Sequence, residues 1–152
     1  MTKPLIIGES NPYGQDPHFA LYPAPDGCSG HRLCCLILGM RRAEYLEAFE
    51  RVNLCAGSHA TLFRWSMPEA RKRAQELFCY AGKVILLGSK VANAWGFSPF
   101  KPFTIQDGGK ILVLPHPSGL CRLWHKPGAF QRARDLVLNL CPELQGKIGV
   151  SK

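Results

Sequence analysis

"VILLGSKVANAWG", residues 84–96, is the stretch on which the fold turns. Its first four residues form a continuous apolar run rather than an alternating one, the pattern of a strand covered on both faces. Gly88 interrupts the run. Ser89 then opens a helical pattern over Lys90–Trp95, and Gly96 closes it. A doubly covered strand that passes straight into a helix belongs to an α/β protein.

The same unit recurs along the chain. Apolar runs at 4–8, 51–54 and 111–114 read as three more buried strands. Helical patterns run over 31–38, ended by Gly39, and over 43–49. A third spans 68–81, with Ala70, Ala74, Leu77 and Phe78 on one face and Ser66 and Glu69 as a capping box. A fourth covers 128–140, where Phe130, Ala133, Val137 and Leu140 align. Strand, helix and strand repeat, so the expected fold is a three-layer α/β/α domain around a central four-stranded, mostly parallel sheet with right-handed crossovers. Ligands of such sheets sit beyond the carboxyl ends of the strands. One domain is expected over 1–146, with 147–152 as a frayed tail.

With 152 residues, 46% of them apolar, the chain suffices for one domain with a substantial core. Its 19 basic and 11 acidic residues leave a formal charge of +8, a surface that attracts polyanions, nucleic acid first among them. No signal peptide and no apolar run of membrane-spanning length is visible, so a cytoplasmic protein without membrane association is expected, and a monomer. Seven cysteines, at 28, 34, 35, 55, 79, 121 and 141, are odd in number and often embedded in apolar runs. That suits buried reduced thiols better than a disulfide framework. Without a Cys-x-x-Cys pair, zinc or an iron–sulfur cluster has little support.

Each expected strand runs into polar or glycine-rich residues: "GESNPYG", "NLCAGSH", "GSKVANAWG" and "PHPSGLCRLWHKPG". In the last of these, His116 lies between two prolines that restrict the backbone and aim the imidazole, while Ser118 and Gly119 offer donors to an anion. An isolated histidine after a strand is more often a hydrogen-bonded structural residue than a catalyst, so its neighbours decide.

Taken in order, "IIGESNPYG", "ALYPAP", "RVNLC", "LLGSKVA" and "HPSGL" resemble the motifs of the uracil-DNA glycosylase superfamily, over residues 4 to about 140. The resemblance implies excision of a flipped base by hydrolysis of its N-glycosidic bond. It places three residues in catalysis: His116, whose neutral N–H would stabilise the departing base at O2, and Asn11 and Glu9, which would share the positioning and activation of water. Asn11 stands at the water-orienting position before Pro12. Glu9 matches the carboxylate of a branch with "GEAPG"-like loops. The loop departs from the family by one additional residue between glycine and proline.

For the base, the resemblance implies Asn53 as the reader, its amide complementary to N3–H and O4 of uracil and mismatched to cytosine. Tyr22 would stack on the flipped ring and Tyr13 would form a wall against a 5-methyl group. For DNA, single- or double-stranded, it implies Pro23, Pro25, Ser89, Lys90, Ser118 and Gly119 near phosphates, Leu120 as a wedge and Arg122 steadying a phosphate or the opposite strand. One branch of the superfamily holds a four-iron cluster through a cysteine pair before the first strand; none of the seven residues before Gly8 is cysteine, so no metal and no cofactor is expected. Two other readings stay open: a non-catalytic binder of damaged DNA with the same fold, and a hydrolase of another modified base or of a free nucleotide.

Overall fold

A computed structural model describes residues 2–10, 16–55 and 65–150. Five strands form one sheet: β1 (Leu5–Ser10), β2 (Glu50–Cys55), β3 (Val84–Leu87), β4 (Thr104–Gln106) and β5 (Ile111–Leu114), in the order β2-β1-β3-β5-β4. The four expected strands are all present and mutually parallel, with Ile7 opposite Val52 and Leu86, and Leu87 opposite Leu114. The fifth strand corrects the expected count. It pairs antiparallel with β5, Ile105 facing Leu112. Three residues in a stretch rich in proline and glycine carry no readable period, so β4 exists through its partner alone.

Because successive strand side chains point to opposite faces, each apolar run feeds two cores. Ile6, Ile85, Leu87, Leu112 and Leu114 face one layer, built by α1 (Ser29–His31) with its π-helical continuation Arg32–Ile37, by α2 (Arg42–Ala48) and by α5 (Ala129–Leu140). Leu5, Ile7, Val84, Leu86, Ile111 and Val113 face the other, built by α3 (Met67–Leu77) and α4 (Ser89–Trp95). The continuous runs thus carry the double coverage that their pattern demands.

Several boundaries move. β1 extends to Ser10, so Glu9 belongs to the strand end rather than to a loop. α3 stops at Leu77, before the expected Ala81, and Phe78 is 47% exposed instead of joining Ala70 and Ala74 in the core. Ser66 caps α3 through its hydroxyl, which accepts from the Glu69 N–H at 3.4 Å, while its own N–H is directed to Cys55 Sγ. The 31–38 helix is mostly π-helical, the wider spiral that is frequent at functional sites. The expected frayed tail is docked as far as 150: the N–H groups of Gly149 and Val150 donate to the carbonyls of Leu38 and Gly39, at 2.8 and 2.9 Å. All seven cysteines are free thiols, three of them buried (Cys34, Cys55 and Cys141), whereas Cys79 is exposed. No helix among the described residues is long and apolar enough to cross a membrane.

From β1 the chain crosses to β2 on one side, then returns past β1 to β3 on the other. The strand order therefore reverses between β1 and β3, and sheets of this kind bind ligands beyond the carboxyl ends at such a point. The residues at that point are Glu9 and Gly88.

Candidate active site at the strand ends

Glu9 is the last residue but one of β1 and His116 follows β5, two strands that are not neighbours because β3 runs between them. At about 4.8 Å per strand, a side chain at the end of β3 would stand between the two. Position 88 is glycine. A Cβ built there would lie 3.1 Å from His116 Cβ and 3.6 Å from Glu9 Oε1, and the backbone has φ +95°, which side-chain-bearing residues rarely adopt. Gly88 therefore lets the carboxylate and the imidazole share one space over β3.

His116 is fixed at several points. Its Nδ1 accepts from the Ser118 N–H at 3.2 Å, and its carbonyl accepts from Trp124 Nε1 at 2.7 Å. Pro115 and Pro117 are both buried, as is Trp124. With Nδ1 occupied as an acceptor, the ring proton resides on Nε2. Burial lowers the imidazole's affinity for a second proton; Glu9 opposes that shift and Lys90 adds to it. The net direction is downward, so the ring is neutral at pH 7 and presents one N–H.

Asn53 is the register partner of Gly8, the residue before Glu9 on β1. Its Oδ1 is 2.6 Å from where a Cβ on Gly8 would sit, and both Leu21 δ-carbons are 3.2 Å from that point. A larger residue at position 8 would push the amide aside. Asn53 also borders a small cleft of about 180 Å³ beside α3, with Glu69, Lys72 and Arg73.

Residues 18–21 lie against β2 and α2. Arg51 donates to the carbonyls of His18 and Ala20 at 3.2 and 2.9 Å, and the buried Tyr45 hydroxyl donates to the Leu21 carbonyl at 2.9 Å. That last bond helps to hold Leu21 at φ +51°, a costly conformation for its residue type. The expected stacking residue, Tyr22, has its ring 5.3 Å from both His18 and Phe19, with the Arg51 guanidinium 5.8 Å above it. The Leu21 side chain packs against Gly8 beside the Asn53 amide. No sequence pattern marks that contact, because it goes with the sign of one backbone angle.

The expected DNA-facing residues divide. Ser89 and Lys90 are exposed at the start of α4, Gly119 and Arg122 are exposed beyond β5, and Ser118 is half-buried. Leu120 is 92% exposed, with its N–H held by Ser118 Oγ at 3.2 Å. Pro25 is exposed. Pro23 is buried and its carbonyl accepts from Arg42 Nε at 3.0 Å, so it shapes the segment from inside instead of facing a phosphate. Asn11 and Tyr13 lie outside the described residues. Gly88, Leu21 and Arg32 were not singled out in the sequence; only Gly88, which breaks an apolar run, left a signal there.

Among the described residues no group of three or more His, Cys, Asp or Glu side chains is arranged to hold a metal ion. Comparison with family models, curated proteins and solved structures returned no match. The functional reading therefore rests on the motif order and on this geometry.

Proposed function

We propose that the chain is a DNA glycosylase that hydrolyses the N-glycosidic bond of a flipped-out uracil, or a related deaminated or modified pyrimidine, leaving an abasic site. The observation that carries this reading is the state of His116: a neutral imidazole, its Nδ1 engaged, with Nε2–H available beside a carboxylate at the switch point of the sheet.

The chemistry follows from those groups. As the C1′–N1 bond breaks, its electron pair leaves with the base and negative charge gathers on O2. The fixed Nε2–H donates to that oxygen, an electrostatic effect worth roughly 3–4 kcal/mol for one well-placed donor. A protonated ring would not be needed, and burial keeps it deprotonated. Water adds its oxygen to C1′ from the opposite side and gives its proton to Glu9, with Asn11 as the orienting amide. Asn53 reads the base edge. The α/β/α architecture, in this proposal, is of the uracil-DNA glycosylase type.

Leu120 favours a polymer as substrate over a free nucleotide, since a fully exposed leucine held at a loop tip has no folding role and suits insertion into a base stack. An incision assay tests the function: labelled strands bearing uracil, other deaminated bases or modified pyrimidines are incubated with the protein and cleaved by alkali. Breaks at the uracil position are expected, and an intact panel would remove the proposal. Tight binding to abasic DNA that is indifferent to replacement of Glu9 and His116 would instead indicate a non-catalytic binder.

A further inference from the structure

We infer that Arg32, which no motif marks, supplies the cation of a binding site for one phosphodiester group of a nucleic acid strand at the Ser118–Gly119 loop, whose approach to phosphate the motif resemblance already implies.

The guanidinium is carried on a rigid support. Gly30 lies so close to the backbone of Leu21 and Tyr22 that a Cβ there would run into the Tyr22 carbonyl, which seats the start of α1 on the segment above β1. Cys28 Sγ accepts from the His31 N–H, and Arg32 begins the π-helical stretch directly after. From that base Arg32 reaches across to the loop beyond β5: its Nε donates to the Pro117 carbonyl at 2.9 Å. The flat group then lies alongside Gly119, with Cζ, Nη1 and Nε between 3.5 and 3.6 Å from where a Cβ would project.

One donor of the fork is thus spent on holding geometry and the terminal nitrogens are left over. None of the ion pairs among the described residues involves Arg32. A half-buried guanidinium with no acid beside it, in a chain of formal charge +8, is a site for an external anion. The loop supplies complementary donors: the Ser118 hydroxyl, and the N–H of Gly119, whose carbonyl is taken by His125 Nε2 at 3.2 Å. Because residue 119 has no side chain, an anion can approach the backbone and the guanidinium together. A tetrahedral monoanion with two free oxygens fits this fork, and the phosphodiester is the nucleic-acid group of that shape.

The identity of the anion rests on the proposed action on DNA, while the cation site does not. Ser118 and Gly119 lie within three residues of both His116 and Leu120, so the gripped phosphate would belong to the flipped nucleotide or its immediate neighbour, an anchor that holds the strand while the base turns out.

The test measures binding of a fluorescent, undamaged single-stranded oligonucleotide by anisotropy across a salt series, for the parent, Arg32→Gln, Arg32→Lys and a remote control, Lys147→Gln. Arg32→Gln is expected to weaken binding about five- to tenfold near 0.1 M salt and to reduce the slope of log K against log salt by about 0.7. Arg32→Lys should keep the slope and lose part of the affinity, which separates loss of charge from collapse of the loop. Parent-like binding and slope in Arg32→Gln, an equal effect from Lys147→Gln, or no binding by the parent would overturn the site. If Arg32→Gln behaves as expected while no base is excised from any strand, the phosphate site stands and the glycosylase reading falls.

Discussion

Glu9 Oε1 and His116 Cβ both lie within 3.6 Å of the point where a side chain at Gly88 would begin, although their strands are separated by β3. The convergence depends on a missing atom. Replacing Gly88 by alanine places a methyl group against His116 and forces a side chain onto φ +95°. The expected cost is about 1–3 kcal/mol of stability, with excision reduced more than tenfold even where the variant is fully folded. Thermal unfolding and single-turnover excision measured on one preparation check both.

His116 should respond to its two charged neighbours in opposite senses. Lys90 lowers its proton affinity and Glu9 raises it. Lys90→Ala is therefore expected to raise the imidazole pKa and Glu9→Gln to lower it further, read from the ring resonances in an NMR titration. Shifts of the same sign in both variants would contradict the arrangement.

A stability consequence has the corresponding sign. The folded ring gives up its proton more readily than an ordinary imidazole near 6.5, so in the window below 6.5 and above the lowered folded value the unfolded chain binds more protons. Stability contributed by the neutral ring is present above that window and falls as pH drops through it. Denaturant unfolding of the parent between pH 7 and pH 5 should show the loss, and His116→Phe should flatten it.

Gly8 controls Asn53. A methyl group at position 8 would meet the amide oxygen at 2.6 Å and displace it. Gly8→Ala is expected to lower excision of uracil by about 5- to 150-fold, the range for losing one buried hydrogen bond of 1–3 kcal/mol. Discrimination against cytosine should narrow with it. Excision rates on paired substrates differing only in that base decide the matter.

Leu120→Ala should leave stability within about 0.5 kcal/mol, since the side chain is 92% exposed. Excision from duplex DNA is expected to fall several-fold, and from single strands to stay unchanged, because only a duplex has a stack to be held open. Parallel assays on the two forms of one sequence provide the check.

The parallel strands and the five helical regions were legible because each apolar run needs cover on both faces, and that need is local. β4 was not, since its pairing with β5 is a long-range fact, and neither was the π-helical winding of 32–37. At the site, the motif order pointed to Glu9 and His116, and the fold brings them together over Gly88. It sets Leu21 beside Asn53, and it turns Pro23 inward. Those two outcomes depend on φ at Leu21 and on Arg42 reaching the Pro23 carbonyl, neither of which leaves a trace in residue order. Arg32 escaped notice for the same reason: its partner is 85 residues away.

The most direct measurement is single-turnover excision of uracil from a labelled strand by the parent protein and by His116→Ala, each confirmed as folded. Abasic-site formation by the parent, with a fall of about 100-fold or more in the variant, is the result expected from one fixed donor at the leaving oxygen. Equal rates in the two proteins, or no abasic sites from either, would contradict a neutral His116 as the group that stabilises the departing base.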